Sequence, residues 1–182
     1  KYGDTLISIN GNARNILAME RIALNVMQRM SGIATYTHYL NNKIKHTSTK
    51  ILDTRKTTPG IRFLEKEAVT IGGGKNHRMG LYDMIMIKDN HVDFSGGISI
   101  AIDKANEYIK NNKLDIKIEV EVRDFEELDV VLNKGNVHRI MLDNFCVSDL
   151  KEAVKKINKQ YETEASGGIN EKTIVNYAET GV

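Results

Sequence analysis

Several residue types that would point to particular protein classes are rare or missing in this chain of 182 residues. Cys146 is the only cysteine, so no disulfide can form within the chain, and a reducing, cytoplasmic location is expected. No apolar run approaches eighteen residues and no signal peptide is recognisable, which predicts a protein that neither enters nor spans a membrane. The net charge is only +2 and no five like charges follow one another, so nucleic acid is not an expected partner.

What is present is the composition of a globular domain. Hydrophobic residues make up 41% of the chain and charged residues 27%, and the length suits a sizeable core in about one domain. The catalytic or binding chemistry must therefore come from local groups of residues rather than from overall charge.

Short apolar, β-branched runs alternate with helical patterns along most of the chain. The predicted strands are Lys50–Thr54, Met84–Lys88, Ile116–Val122, Arg139–Leu142 and Tyr161–Ala165. The predicted helices lie near Arg62–Ile71, Ile98–Asn111, Phe125–Lys134 and Ser148–Asn158, and from Glu171 to the end, with Asp124 and Ser148 as N-caps. Strands separated by helices of this length predict right-handed βαβ units and a parallel sheet.

The first fifty residues fit no βα unit. A long amphipathic helix is predicted over Ile16–Leu40, opened by Asn15 or a neighbour, and Tyr2–Asn10 is predicted to be a strand. Five βα units are too few to close a barrel of eight strands. The expected fold class is therefore α/β, an incomplete (open) parallel α/β barrel truncated at both ends, with a doubly wound sheet as the alternative.

Polar and charged residues collect where the predicted strands end. In parallel α/β folds the carboxyl ends of the strands and the loops after them hold the ligand. The cationic or proton-carrying groups near these ends are Arg55, Lys56, His77, Arg78 and Lys88. If they converge on one pocket, they predict a ligand with several negative charges, because unpaired positive charges packed together are unfavourable.

Acidic residues occupy two other strands. Glu119 and Glu121 are two apart on a strand and share one face, which points inward in a barrel. Glu121 is nearer the functional end, and Asp143 ends an apolar strand. A solvated edge strand with both glutamates facing water is the alternative.

Two glycine segments remain ambiguous. Ser166-Gly167-Gly168 lies between a strand and a predicted helix and would make a short phosphate cradle, although many βα turns contain two glycines. Gly72–Gly74 either ends a helix or lets the loop with His77 and Arg78 fold over the site. No His or Cys pair has metal-ligand spacing, so no built-in zinc site is expected. Cys146 is interpreted as a packed thiol, and His38, His46 and His138 as surface or core residues.

In combination, these segments resemble the quinolinate phosphoribosyltransferase family (nicotinate-nucleotide pyrophosphorylase, carboxylating). The resemblance runs in order through Glu20–Asn25, Ser31–Thr35, Asp53–Gly60, Gly73–Gly74, His77–Arg78, Ile87–His91, Glu119–Glu121, Leu142–Asn144 and Ala165–Gly168. It implies an N-terminal α/β sandwich followed by an incomplete α/β barrel, assembled as a homodimer or a hexamer of dimers. Residues 1–14 would be the remnant of the sandwich, and residues 15–182 a catalytic barrel domain that lacks its last strands.

The resemblance also implies a reaction and its residues. The family transfers phosphoribose from phosphoribosyl pyrophosphate to quinolinate and releases CO₂, giving nicotinate mononucleotide for NAD biosynthesis. Lys56, Glu121 and Asp143 would be catalytic. The implied substrate-binding residues are Thr54, Arg55, Lys56, His77, Arg78, Lys88, Glu121, Asp143, Ser166, Gly167 and Gly168. Glu121 and Asp143 would also hold the Mg²⁺ that accompanies pyrophosphate, and no organic cofactor is expected.

Three other functions stay open. One is the related phosphoribosyltransferase-like protein of molybdenum transport clusters, another is a Schiff-base aldolase that uses Lys88, and the third is a non-catalytic phosphate-binding module. The chain also departs from the family pattern, since the arginine that the family's N-terminal domain lends to a neighbouring subunit cannot be assigned here.

Overall fold

The computed structural model describes residues 2–182, and their architecture is an open parallel α/β sheet preceded by a long helix. The strands are β1 (Met84–Ile87), β2 (Lys117–Val122), β3 (Arg139–Asp143) and β4 (Glu162–Ser166). They pair in parallel in the order β1-β2-β3-β4, and the sheet does not close. The predicted open parallel α/β architecture is confirmed. A doubly wound sheet would reverse its strand order, and these strands do not.

Seven helices accompany the sheet within residues 2–182. They are α1 (Ala13–Ile44), α2 (Arg62–Ile71), α3 (Asp89–Ser95), α4 (Ile98–Asn112), α5 (Phe125–Lys134), α6 (Val147–Ile157) and α7 (Ile174–Ala178). The bounds of α2 and α5 agree with the prediction. α3 was not predicted, because its short polar sequence has no clear helical period. α7 is shorter than the predicted helix from Glu171 to the end. The domain boundary between residues 14 and 15, which falls within α1, stays a prediction.

Side-chain cap hydrogen bonds explain where α1 and α5 begin, whereas α6 has none. Asp124 caps α5 as predicted, because its Oδ1 accepts from the backbone N–H of Glu127 at 2.8 Å. Asn12, and not Asn15, caps α1 by accepting from the N–H groups of Arg14 and Asn15. Cys146 rather than Ser148 occupies the N-cap of α6, and it makes no side-chain cap hydrogen bond.

Two predicted strands are wrong. Lys50–Thr54 is extended but forms only a single bridge, in which Lys75 N–H donates to the Ile51 carbonyl at 2.8 Å and Asp53 N–H donates to the Lys75 carbonyl at 3.2 Å. Tyr2–Asn10 pairs with no strand within residues 2–182, and its apolar side chains are exposed. An alternating apolar pattern specifies a strand only where a neighbouring ladder supplies the backbone partners.

The sheet has two chemically different faces. The outer face carries Ile118, Val120, Val122, Ile140 and Leu142, all fully buried in one core with the helices. The inner face carries the charged residues of β2, β3 and β4. Glu119 is fully buried, so the glutamates of β2 point inward as predicted, and the solvated-edge alternative is wrong because β2 is an internal strand.

Two neighbouring valines of α5 test this core. Val131 is fully buried and Val130 is 38% exposed, so they offer a matched pair on one helix. Val131→Ala should lower the free energy of unfolding by about 2 kcal/mol, because two methyl groups are lost and a cavity remains. Val130→Ala should change it by less than about 0.5 kcal/mol. Urea unfolding measures both values, and equal losses would contradict this placement of the core.

Candidate active site

A lysine and two carboxylates meet at the carboxyl edge of the sheet. Lys88 follows β1, and its Nζ lies 3.8 Å from Glu121 Oε2 on β2. Burial raises the pKa of Glu121. The positive charge of Lys88 lowers this pKa and the negative charge of Asp143 raises it. Asp143 ends β3 and its Oδ2 accepts from the Asn144 side-chain amide at 2.6 Å. Lys88, Glu121 and Asp143 therefore lie near one another, as the rule for strand ends predicts.

The Ser166–Gly168 turn continues this edge. Ser166 is paired in register with Asp143, and the Asn144 N–H donates to the Ser166 carbonyl at 2.8 Å. Gly167 has φ of +93°, and an added Cβ there would lie 2.1 Å from Asn144 Oδ1. The following helix, α7, begins only at Ile174 and has five residues, so the helix predicted from Glu171 does not start next to this turn.

A cavity of about 1150 Å³ opens beside β4. Its wall includes Thr54, Arg139, Glu164 and the Ser166–Gly168 turn, whereas Lys88, Glu121 and Asp143 lie outside the wall. Thr54 and Lys56 are exposed, and the Lys56 N–H donates to Thr54 Oγ1 at 3.0 Å. The cavity thus joins the proposed phosphate turn to the segment that carries Lys56, but it does not enclose the whole site.

Two arginines stand close together on the inner side of β1. Arg78 donates from Nη1 to the Met84 carbonyl at 3.3 Å and from Nη2 to Met86 Sδ at 3.5 Å. Burial lowers the pKa of Arg78, and the positive charge of Arg55 lowers it further. Among the described residues, the buried Nε of Arg55 has no hydrogen-bond partner. The carboxylates of Glu119 and Asp83 act in the opposite direction on Arg78, so the donor left unused in this pair is the Arg55 Nε.

His77 lies beneath these arginines and is 8% exposed. Its Nε2 lies 2.6 Å from Glu119 Oε2 and 3.3 Å from Glu164 Oε2, while Nδ1 accepts from the Arg78 N–H at 2.7 Å. The hydrogen bonds to Glu119 and Glu164 raise the pKa of His77 to about 9. The Arg78 N–H opposes this rise, because a doubly protonated ring has no acceptor at Nδ1. Both ring nitrogens are therefore already engaged.

The same residues resemble a metal site, yet their surroundings disfavour one. Ligand atoms of His77, Glu119 and Glu164 lie within 4.8 Å of one another, and Glu119 Oε1 is buried without a partner. A neutral histidine that binds a metal through Nε2 must carry its proton on Nδ1, where the Arg78 N–H already donates. The guanidinium of Arg139, 3.3 Å from Glu164, would also repel a cation. We interpret the cluster as a buried network of ion pairs.

Other sequence-based interpretations can now be placed. Cys146 is exposed, so the packed thiol is wrong. His38, His46 and His138 are all exposed. An added Cβ at Gly72 would lie 2.5 Å from the Ala34 carbonyl, so this glycine permits close packing of α2 against α1. Lys88 has a side chain 45% exposed and faces a carboxylate, which is unlike the apolar surroundings of an aldolase lysine.

Sequence reasoning missed several charged residues of the inner face. Glu164 and Arg139 contact each other, and Glu164 also contacts His77. The alternation Glu162-Thr163-Glu164 on β4 repeats the pattern of Glu119 and Glu121, and it could have indicated that Glu164 lies on the inner face. Arg62, Glu65 and Lys66 were interpreted only as part of an amphipathic helix.

Comparison with known proteins gives consistent matches over the chain. Residues 1–31 match the family "Quinolinate phosphoribosyl transferase, N-terminal domain" and residues 33–182 match "Quinolinate phosphoribosyl transferase, C-terminal domain". The chain is 48% identical over 188 residues to "Quinolinate phosphoribosyltransferase (decarboxylating) 2b, mitochondrial" from Nicotiana tabacum, covering 96% of this chain and 53% of the relative. The chain therefore spans about half the length of this curated relative.

Solved structures agree. The crystal structure of NadC from Streptococcus pyogenes has a TM-score of 0.87 at 39% identity, covering 96% of this chain and 60% of that one. The nicotinate-nucleotide pyrophosphorylase from Francisella tularensis has a TM-score of 0.86 at 44% identity, covering 94% and 60%. From residue 2 to residue 182, no helix has both the length and the apolar character needed to cross a bilayer.

Adjacent glycines test the turn at the end of β4. Gly167→Ala should destabilise the chain by more than about 2 kcal/mol, because it combines a positive φ with a clash against Asn144. Gly168 has φ of +66° and nothing within 4 Å of an added Cβ, so Gly168→Ala should cost only about 1 kcal/mol. Urea unfolding compares the two variants, and a smaller loss for Gly167→Ala would contradict the described turn.

The His77 network predicts a pH dependence. A histidine whose pKa is raised in the folded state stabilises the fold fully below its unfolded value near 6.5 and loses that contribution as pH rises through about 9. NMR titration of the His77 ring should give a pKa well above 6.5. Glu119→Gln should lower it by at least about one unit, because the strongest partner loses its charge. An identical pKa in both proteins would show that Glu119 does not control the ring.

Proposed function

Because the chain belongs to the quinolinate phosphoribosyl transferase family, we propose that it transfers phosphoribose from phosphoribosyl pyrophosphate to quinolinate with loss of CO₂. The products are nicotinate mononucleotide, pyrophosphate and CO₂. The observation that carries this proposal is the couple of Arg55 and Arg78, in which the buried Arg55 Nε lacks an acceptor among the described residues, because two neighbouring guanidinium groups suit a ligand with two adjacent carboxylates.

Quinolinate fits this couple by charge and by shape. Each carboxylate can accept paired hydrogen bonds from one planar guanidinium, and the buried Arg55 Nε would gain the acceptor that it lacks. Lys88 supplies a third positive charge from the carboxyl edge. His77 contributes from beneath Arg78, where its ring nitrogens contact Glu119 and the Arg78 N–H rather than open space. A direct contact between His77 and the substrate would require these hydrogen bonds to be exchanged.

Phosphoribosyl pyrophosphate is assigned to the remaining polar groups. The Ser166–Gly168 turn would take the 5′-phosphate, since backbone at positive φ can turn N–H groups toward an anion. Thr54 and the exposed Lys56 would meet the pyrophosphate. The cavity that contains Thr54 and this turn supports the same placement.

Glu121 and Asp143 would hold ribose hydroxyls and Mg²⁺. They present two hard oxygen ligands at one edge, and Mg²⁺ prefers a few carboxylates together with substrate phosphates. The bound ion would neutralise charge on the departing pyrophosphate. The partial burial of Glu121 keeps its carboxylate in a medium where charge interactions are stronger than in water.

The chemistry follows from this arrangement. The bond between C1 of ribose and pyrophosphate breaks through an oxocarbenium-like transition state, whose positive charge Glu121 and Asp143 stabilise. The lone pair of the quinolinate ring nitrogen then forms the new bond to C1. In the resulting pyridinium, the bond to the carboxylate beside the nitrogen breaks, its electron pair stays on the ring carbon, and CO₂ leaves. A proton from solvent completes the product.

Assembly and location remain part of the proposal. A homodimer or hexamer of dimers is supported by the apolar side chains of Leu6, Ile7, Leu17 and Ile22, which are exposed along residues 6–22. A cytoplasmic location rests on the single cysteine, although the tobacco relative is named as mitochondrial.

Calorimetric titration with quinolinate tests the substrate. The chain should bind it, and Arg55→Gln or Arg78→Gln should weaken binding at least about tenfold, because each removes a charge-assisted hydrogen bond. Lys104→Gln, on an exposed position of α4, is the control for loss of one positive charge and should bind normally. No binding by the parent chain would favour the molybdenum-transport relative or a simple phosphate-binding module.

Turnover tests the reaction. With quinolinate, phosphoribosyl pyrophosphate and Mg²⁺, Lys56→Ala and Asp143→Ala should form no detectable nicotinate mononucleotide or CO₂, whereas Lys104→Ala should keep the parent rate. Near-normal turnover in both site variants would reject their assigned roles. Trapping of a carbonyl substrate on Lys88 by borohydride would instead indicate the aldolase.

A further inference from the structure

Helix α2 turns three charged side chains toward the protein interior. Arg62, Glu65 and Lys66 are spaced by three and four positions, which places them on one face of the helix. Glu65 is 7% exposed and Lys66 1% exposed, while Glu67 points to solvent. We call these three residues the α2 charged face. Charges are buried in this way only when they have partners.

The partners of Lys66 join two loops. Its Nζ contacts Asp53 Oδ1, and the same oxygen accepts from the His77 N–H at 2.8 Å. The Asn76 side-chain amide, in the orientation that satisfies its hydrogen bonds, donates to Asp53 Oδ2 at 2.6 Å. Asp53 immediately precedes the segment with Arg55, and His77 immediately precedes Arg78. The Lys66 pair therefore fixes the start of one loop against the other.

Glu65 holds the other end of the Arg55 segment. It accepts from the Thr58 N–H at 3.0 Å, from Thr58 Oγ1 at 2.8 Å and from Arg29 Nε of α1 at 2.8 Å. Burial alone would raise the pKa of Glu65, but the hydrogen bonds from Thr58 and Arg29 outweigh it and lower the pKa. Glu65 is thus held as a carboxylate that anchors Thr58.

Arg62 contacts both loops directly. Its Nη2 donates to the Arg55 carbonyl at 3.3 Å and its Nε to Thr57 Oγ1 at 3.1 Å. Its Nη1 donates to the Met79 carbonyl at 3.0 Å, on the loop that carries Arg78. One guanidinium therefore links the backbones on which Arg55 and Arg78 are mounted.

We propose that Arg62, Glu65 and Lys66 are positioning residues that hold Arg55 and Arg78 at the separation a dicarboxylate requires, and so set the affinity for that ligand. This inference rests on the proposed function. Two neighbouring guanidinium groups repel each other, so flexible loops would let them separate. Binding would then have to bring them back together, whereas loops already fixed avoid that loss of affinity.

The experiment compares variants within α2. Arg62→Gln and Lys66→Met should each raise the dissociation constant for quinolinate about tenfold or more, and the nearly isosteric Glu65→Gln at least about fivefold. Glu67→Gln is the matched control, since it makes the same change two residues away on the exposed side, and it should stay within about twofold of the parent. All dissociation constants are measured by calorimetry. The protein concentration is corrected for the folded fraction, which urea unfolding gives.

A second ligand separates positioning from general loss of structure. Inorganic phosphate, followed through the NMR signals of the Gly167 and Gly168 amides, should bind all four variants within about twofold of the parent, because the described hydrogen bonds and ion pairs of α2 do not reach this turn. Parallel weakening of phosphate and quinolinate would show a merely structural role and overturn the inference. Unchanged quinolinate affinity in Arg62→Gln and Glu65→Gln would overturn it as well.

Hydrogen exchange gives a readout that needs no substrate. The Thr58 amide should exchange faster in Glu65→Gln and the His77 amide faster in Lys66→Met, each by about tenfold or more, with Glu67→Gln unchanged. Unchanged protection would show that the α2 charged face does not hold the loops. If the parent chain binds no quinolinate, the proposed function fails. Hydrogen exchange alone then shows whether the α2 charged face holds the loops.

Discussion

The pairing of buried charge on the inner face of an open sheet is the constraint on which the rest of this structure depends. Glu119 is fully buried on that face, and its Oε2 lies 2.6 Å from His77 Nε2. A lone buried carboxylate would be strongly unfavourable, so the loop that carries His77 must fold over β2. Arg78 follows in the chain and is brought onto the same face. The placement of one charge thereby sets the placement of the next.

The outer face of the sheet stabilises the fold, and the inner face carries the candidate active site. The outer face is apolar and packs against α4, α5 and α6, which gives the strands a rigid support. The inner face holds charges of both signs, with acids on β2, β3 and β4 and cations on β3, directly after β1 and in the loops before β1. A substrate pair that is rich in negative charge but forms a positive ribose in its transition state needs both signs in one site. The arrangement of this face provides them.

Features that depend on local sequence were predictable. β2, β3 and β4 begin and end within one residue of their predicted bounds. For β2 and β3 the reason is that short apolar runs interrupted by turns specify buried parallel strands. The grouping of Lys88, Glu121 and Asp143 followed from the geometry that all parallel strands share. These residues needed no knowledge of tertiary contacts, because strand direction alone places them at one edge.

Features that depend on distant partners were not predictable. Lys50–Thr54 has the composition of a strand, but contacts with Lys66 and Lys75 hold it in place, and both residues lie later in the chain. Arg62, Glu65 and Lys66 have the periodicity of a solvated helix face, and only the loops packed against α2 reveal that they point inward. The most direct test of the whole account is a crystal structure of the chain with bound quinolinate. The account predicts the two carboxylates within hydrogen-bonding distance of Arg55 and Arg78, with Arg55 Nε satisfied. Quinolinate bound elsewhere, with that nitrogen still unpaired, would contradict it.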